Sequence, residues 1–488
     1  MTSSNLTSRR SFLKTTALSS SLLLSRHSLW ARNTPGPNLV FVFADQWRAQ
    51  ATGFAGDPNA QTPHLDRLAR ESINFTHAVS GCPVCSPFRA SLMTGQYPLT
   101  HGVFLNDVPL SDRAVSFAQV FNRAGYHTGY IGKWHLDGRG RNAYIPRQRR
   151  QGFQFWQVLE CTHNYNHSIY YGDENTPRLW KGYDAIAQTR AAQDYIRRHA
   201  GQSPFTLFLS WGPPHAPYQT APPQYRERYH PDRVLLRPNV PDRLTDRAKK
   251  DLAGYYAHIA ALDDCLADLL NTLKETGIEK NTIFVFTADH GDMLYSHGRR
   301  KKQQPQDESI RVPFLLRYPA VQEGPKVIDV PINSPDIMPT ILSLAGLSIP
   351  DSVEGDDFAP IIRGTQPPPD NRAVLIACPS PFGQWRRRDG GREYRGVRTK
   401  RYTYVRDLTG PWLLYDNEND PYQLRNICHR PEYTHIRAQL DAALNRELTR
   451  RQDHFLSGWN YIKQWGYEVD ENGTVPYRHK QLDIKNAT

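Results

Sequence analysis

The sequence predicts an α/β protein: a large mixed, mostly parallel sheet sandwiched by helices, then a smaller C-terminal α+β domain with a short antiparallel sheet. Three observations predict it. Continuous apolar runs end in an acid at 38–45 and again at 282–289, the mark of strands buried on both faces with functional residues at their C-terminal edges. Segments of helical periodicity separate such runs, the longest spanning Asp251 to Leu273. Past a Pro-rich stretch at 364–371, four short strand-like runs and one helical run replace that alternation.

With 488 residues the chain is long for one core and suggests two domains, 35–365 and 372–488, behind an N-terminal address. An apolar fraction of 39% and a charged fraction of 22% describe a globular rather than a disordered chain. The net charge of +12 favours anionic partners. Lys and Arg are spread along the chain and no nucleic-acid motif is present, so nucleic acid is not the expected partner. Six cysteines lack metal-like spacing; Cys82 and Cys85 form a C-x-x-C, but no thioredoxin-like pattern surrounds it.

Residues 1–31 read as a twin-arginine export signal, with Arg9-Arg10 before Phe12-Leu13-Lys14 and a weak apolar run from Thr15 to Leu24. That run is too short and too rich in Ser and Thr to anchor in a bilayer. Cleavage near Ala31 is expected to leave a periplasmic or secreted protein without a stable membrane anchor.

In chain order, the run ending at Asp45 is the first strand, and Asp45 is a candidate ligand for a hard divalent cation, which takes oxygen donors. Thr62-Pro63 starts a helix to Glu71, and a strand from Ile73 to Ala78 leads to a turn at Cys85. A helix after Pro87 places Cys85 at its N-terminus, where backbone N–H groups favour anions, with Arg89 one turn in. A helix from Ser116 to Ala124 precedes a strand that ends at Lys133 and His135. Residues 137–183 read as loops around a pocket, with His163, Asn164 and His167 as candidate substrate contacts. After a helix from Ile186 to His199 and a strand from Phe205 to Ser210, prolines 213, 214 and 217 pin His215. The acids of the Asp251–Leu273 helix are assigned to its wet face. The strand Thr282–Ala288 then delivers Asp289 and His290, and Ser334–Leu342 reads as a capped helix. C-terminal strands are expected at 373–377, 394–399, 402–406 and 412–415, with a helix from Tyr433 to Arg451. The basic run Trp385–Arg398 either reaches the pocket or forms a solvated hairpin.

Four motifs in this order carry a resemblance: Cys85-Ser86-Pro87-Phe88-Arg89 followed by Thr94-Gly95, Gly132-Lys133-Trp134-His135-Leu136, Pro213-Pro214-His215-Ala216-Pro217-Tyr218, and Asp289-His290. From about Pro37 to the C-terminal region the chain resembles the formylglycine-dependent (type I) sulfatases of the alkaline phosphatase superfamily. The resemblance implies an alkaline-phosphatase-like sheet and a formylglycine-forming maturation enzyme that oxidises Cys85 to an aldehyde. One oxygen of the aldehyde hydrate attacks sulfur and the other later expels sulfate. It further implies that Arg89 holds the formylglycine, Lys133 binds a sulfate oxygen, His135 is the base that ejects sulfate, and His215 contacts sulfate and the leaving oxygen. Lys302, in preference to its neighbour Lys301, serves the leaving group. Asp45, Gln46, modified Cys85, Asp289 and His290 would hold Ca²⁺, with Mg²⁺ or Mn²⁺ as alternatives. Many sulfatases have Asp-Asp where this chain has Asp45-Gln46, so the site carries one negative charge fewer.

The implied reaction is hydrolysis of a sulfate ester. Export, positive charge and aromatic loops point to a sulfated polysaccharide or oligosaccharide as substrate, with the twin-arginine machinery and the maturation enzyme as partners. Two other readings stand beside it: a phosphonate monoester or phosphodiester hydrolase on the same scaffold, and a non-catalytic protein that binds anionic glycans.

Overall fold

The computed structural model describes residues 36–322 and 324–477; the stretch 1–31, expected to be an export signal, lies outside the described residues. The main sheet has eight strands: β1 (Asn38–Asp45), β2 (Ile73–Phe75), β3 (His127–Lys133), β4 (Phe155–Leu159), β5 (Phe205–Pro214), β6 (Thr282–Ala288), β7 (Phe314–Arg317) and β8 (Lys326–Ile328), in spatial order β8-β2-β7-β6-β1-β5-β3-β4. All neighbours are parallel except β7, which runs antiparallel to both β6 and β2. The predicted class is therefore the observed one. The central strands β1, β5 and β6 are buried over their whole length, as strands covered on both faces must be.

Register decides where the chemistry goes. Ala44 of β1 pairs with Ala288 of β6, so Asp45 and Asp289 leave the sheet side by side. Phe43 pairs with Ser210 of β5, which pairs in turn with Gly132 of β3, so Lys133 emerges at the same edge. Gly132 has φ +102°, and a Cβ there would lie 2.1 Å from the Ser210 carbonyl oxygen. Glycine alone fits this approach.

Helices cover the sheet: α1 (Pro63–Glu71), α2 (Cys85–Thr94), α3 (Phe117–Arg123), α4 (Asp184–His199) and the 31-residue α5 (Thr245–Glu275). Ser116 caps α3 in a reciprocal capping box with Gln119. One expectation about α5 fails. Asp263 is not on a wet face but buried, accepting the N–H groups of His64 (3.1 Å) and Leu65 (2.7 Å). A carboxylate reaching across from another helix thus satisfies the orphan donors at the start of α1, while burial still lifts its pKa to about 6.

Two other expectations are revised. The strand expected from Ile73 to Ala78 is broken. Ile73–Phe75 joins the main sheet, whereas Ala78–Val79 pairs with Ile332–Asn333 in a separate two-stranded ribbon. Residues 137–183 are not loop throughout: β4, with the sequence Phe-Trp-Gln-Val-Leu, closes the sheet edge beside β3.

In the C-terminal region β9 (Val374–Cys378), β10 (Tyr394–Arg398), β11 (Tyr402–Asp407) and β12 (Gly410–Asp416) form an antiparallel sheet in sequence order. The helix α6 (Thr434–Arg450) packs Leu440, Leu444 and Leu448 against Leu375, Val397, Tyr404 and Leu414 of that sheet. Most arginines of the basic run are held in ion pairs within the fold. Arg395 pairs with Asp453, Arg398 with Asp307, Arg387 with Glu393 and Arg392 with Asp407. The run is neither a free hairpin nor part of the pocket lining.

Candidate active site

Cys85 is the first residue of α2 and is 1% exposed, at the base of a cavity of about 610 Å³. The free N–H groups at a helix start favour a negative group there. Ser86 fixes the turn: its N–H donates to Asn106 Oδ1 (3.0 Å) and its hydroxyl to the His135 carbonyl (2.7 Å). Around the Cys85 sulfur lie Lys302 Nζ at 2.9 Å, His290 Nε2 at 3.3 Å, Lys133 Nζ at 3.6 Å and Asp45 Oδ1 at 3.7 Å. Burial and the Asp45 charge push the thiol up, but Lys133, Lys302 and His290 outweigh them and hold it well below its ordinary value. Cys82 is the opposite case, since burial drives it up to about 12. Both cysteines are free thiols, so the C-x-x-C pairs one activated sulfur with one inert one.

Arg89 lies one turn into α2, as the helix spacing requires. Its guanidinium donates to Asp289 Oδ2 (3.1 Å), Asp45 Oδ2 (3.5 Å), the Lys133 carbonyl (2.7 Å) and Ser210 Oγ (2.8 Å). Lys133 Nζ makes a further ion pair with Asp45. The two carboxylates diverge. Burial works against the charge on Asp45, but Lys133, His215, Lys302 and His290 keep it well below the carboxylate range. Burial and the Asp45 charge instead raise Asp289. Two buried acids with unlike proton affinities are the arrangement that a cation between them would even out.

One donor atom each from Asp45, Cys85, Asp289 and His290 fall within 4.8 Å of one another, all buried. Gln46 adds a fifth candidate. Its Nε2 donates to Asp292 Oδ2 (2.7 Å), and because a carboxylate only accepts, the amide is oriented with Oε1 away from Asp292. Oε1 is buried with no hydrogen-bond partner among the described residues, and a buried orphan acceptor of this kind suits a cation. The donor set of carboxylates, an amide oxygen and an imidazole nitrogen fits a divalent metal.

His135 has φ 61° and is 1% exposed; Nε2 faces Asp107 Oδ1 at 3.2 Å, and Nδ1 has no hydrogen-bond partner among the described residues. Burial opposes its charge, but Cys161 and Asp107 outweigh burial and raise it to about 9. The following loop is fixed by Glu160, which accepts the N–H groups of Asp137 (2.7 Å) and Gly138 (2.9 Å). His215 lies between cis peptides at Pro213–Pro214 and Ala216–Pro217, its Nδ1 2.7 Å from the Ala216 carbonyl. Burial, then Lys302 and His163, holds His215 well below the usual histidine value, so it stays neutral.

The structure thus brings together the ten residues that the resemblance singled out: Asp45, Gln46, Cys85, Arg89, Lys133, His135, His215, Asp289, His290 and Lys302. Of the two adjacent lysines, Lys302 is the one against the sulfur. Of the three loop candidates, His163 lines the cavity and stacks on His215 with ring centroids 4.4 Å apart; Asn164 and His167 do not line it. Sequence reading passed over Asp292, whose carboxylate accepts Gln46 Nε2, Tyr218 OH (2.5 Å), Leu294 N (3.0 Å) and Lys301 N (2.9 Å). Its signal was available, as an acid two residues past His290. Asp107 was also passed over, and no local pattern marks it, because it meets His135 and Arg141 through the fold.

A mostly parallel sheet whose C-terminal edge gathers carboxylates and lysines around one activated sulfur defines a hydrolase of anionic esters. The sulfatase family model matches residues 37–347, and the model for the C-terminal part of N-sulphoglucosamine sulphohydrolase matches 296–450. An ulvan-active sulfatase of Formosa agariphila is 43% identical over 450 residues, covering 90% of this chain and 87% of that protein. An endo-4-O-sulfatase of Bacteroides thetaiotaomicron is 32% identical over 465 residues, covering 81% of this chain and 89% of that protein. A solved structure from work on the metabolism of multiple glycosaminoglycans by Bacteroides thetaiotaomicron superposes with a TM-score of 0.78 at 29% identity, covering 91% of this chain and 100% of that one. The chain belongs to the sulfatase family and is a sulfuric ester hydrolase.

Proposed function

We propose that this sulfatase removes sulfate from a sulfated polysaccharide or its oligosaccharides, using formylglycine made from Cys85 and a divalent metal. The observation that carries the reading is the Cys85 sulfur at the base of the cavity, with Lys302 and Lys133 on it and the Asp45, Asp289 and His290 donors beside it. The relatives named for ulvan and for endo-4-O activity support a polymeric sulfated substrate.

The residues divide the labour as follows. Asp45, Gln46, modified Cys85, Asp289 and His290 would hold the metal, which would supply Lewis acidity at the site. The formylglycine hydrate supplies the oxygen nucleophile. Ca²⁺ suits the oxygen donors; the His290 nitrogen admits Mn²⁺ as well. Arg89 balances the Asp45 and Asp289 charges and orients residue 85. Lys133 and Lys302 meet the non-bridging sulfate oxygens and stabilise the charge that builds on them. His215, kept neutral by burial and by neighbouring cations, hydrogen-bonds the leaving oxygen, which takes a proton from Lys302 as the S–O bond breaks. His135 exchanges a proton at residue 85, with Asp107 holding its ring.

The Gln46 amide in the metal set also fits phosphonate ester hydrolysis, so both esters belong in the test. Protein made beside a formylglycine-forming enzyme should show the thiol-to-aldehyde mass change in the tryptic peptide 71–89 and release sulfate from sulfated oligosaccharides faster than it cleaves aryl phosphonate esters. An unmodified, inactive Cys85 beside a correctly matured control sulfatase would refute the nucleophile. Turnover confined to small aryl sulfates would refute the glycan substrate. We further propose export of the mature protein by the twin-arginine signal at its N-terminus; among the described residues no helix is long and apolar enough to cross a membrane.

A further inference from the structure

Five lysines and arginines line the cavity: Lys133, Arg141, Arg300, Lys301 and Lys302. Four are committed. Lys133 and Lys302 turn to the Cys85 sulfur. Arg141 gives Nε and an outer nitrogen to the two oxygens of Asp107, both at 2.8 Å. Arg300 lies 3.8 Å from Asp251. Lys301 differs: among the described residues its ammonium has no ion pair and no hydrogen-bond acceptor, and its hydrogen bonds run through its backbone.

That backbone is held from both sides. The Lys301 N–H donates to Asp292 Oδ1 at 2.9 Å, and its carbonyl accepts the Met293 N–H at 2.7 Å. Its φ is +63°, a left-handed conformation that lysine adopts rarely and that surrounding structure must enforce. The fold therefore accepts a local conformational cost to aim a lysine into the cavity beside Lys302. Burial and the Lys302 charge, with Arg300 behind them and against the pull of Asp292, lower its pKa. A half-buried cation that its neighbours on balance disfavour gains from an anion brought to it.

We infer that Lys301 receives a second anionic group of the substrate, a carboxylate or a further sulfate ester on the same sugar or its neighbour, so that the natural substrate is a saccharide with at least two negative groups within the cavity. The scissile sulfate is already matched by Lys133 and Lys302, so the Lys301 anion is a different one. This inference rests on the sulfatase reading of the same site.

The test compares kcat/KM for paired oligosaccharides on formylglycine-containing enzyme. One pair is a sulfated oligosaccharide with a uronic carboxylate and its carboxyl-reduced form; the other is a disulfated and a monosulfated saccharide sharing the scissile ester. Wild type should prefer the doubly anionic member of at least one pair by about tenfold or more, the range of a charge-assisted contact. Lys301→Met should erase that preference through KM, and Lys301→Arg should keep most of it. The pair that responds identifies carboxylate or sulfate as the second anion. A preference that survives Lys301→Met, or no preference in wild type for either pair, overturns the inference while sulfate release continues. No sulfate release from any substrate by enzyme with verified formylglycine overturns the sulfatase reading itself, and the inference with it. Thermal unfolding of both variants within a few degrees of wild type shows that the change is local.

Discussion

Lys302 Nζ lies 2.9 Å from Cys85 Sγ and 3.1 Å from His290 Nε2, bridging the activated sulfur and a candidate metal ligand that stand 205 positions apart in sequence. On the proposed mechanism a lysine so placed touches the reacting group directly. Lys302→Ala should therefore lower kcat by about 10²- to 10³-fold, the usual loss for one preorganised charge donor. Steady-state kinetics on an aryl sulfate checks it, and an unchanged kcat would remove Lys302 from the mechanism.

Gln46 is oriented by Asp292, and this makes an unusual prediction about charge. Restoring an acid with Gln46→Glu sets two carboxylates against each other where Nε2 now donates at 2.7 Å. The variant should bind metal more weakly than wild type, by about ten- to a hundredfold, as when an orienting contact is lost. Calorimetric titration of the metal-free protein with Ca²⁺ and Mn²⁺ gives the answer. Tighter binding would mean that Gln46 is not held by Asp292.

In protein expressed without a maturation enzyme, iodoacetamide should alkylate Cys85 well before Cys82. Neighbouring cations lower the first thiol and the cavity opens onto it, while burial lifts the second to about 12. Peptide mapping over time separates the two, and equal labelling would contradict the electrostatic picture.

His135 carries a pH signature. Its folded pKa of about 9 lies above its ordinary 6.5, so its protonated form stabilises the fold fully below pH 6.5, and that contribution is lost as pH rises through 9. The shift corresponds to roughly 3 kcal/mol at most. The Tm difference between unmodified wild type and His135→Gln should be largest near pH 6 and shrink by pH 9 to 10. A difference that stays flat would deny the charged His135–Asp107 pair.

What could be read from sequence follows from how local each feature is. Runs such as Asn38–Asp45 and Thr282–Ala288 announce buried strands because both faces demand apolar residues, and the acids that end them fall at the functional edge. The loops ending in His135 and His215 were legible because glycine and proline fix them over a few residues. Asp263 was misread because an acid on an amphipathic helix looks solvated until another helix places its N-terminus against it. β4 was missed because five residues amid glycines and arginines carry too short a period. Asp107 and Asp292 act on partners through the fold: Asp107 reaches His135 28 residues away, and Asp292 reaches Gln46 246 residues away. Such pairs exist only once the chain has folded.

The cavity is walled on one side by Phe382, Gly383, Gln384, Thr474 and Tyr477, all from the last quarter of the chain. Gln303 fastens this wall to the cysteine turn, exchanging hydrogen bonds with the Phe382 backbone (2.8 and 3.2 Å) and donating its own N–H to the Pro83 carbonyl (3.2 Å). The cavity is therefore assembled from distant parts of the gene, its last wall laid against residues encoded far upstream. A duplicated copy can drift in these terminal segments and reshape that wall while Cys85 and the side chains around its sulfur stay unchanged.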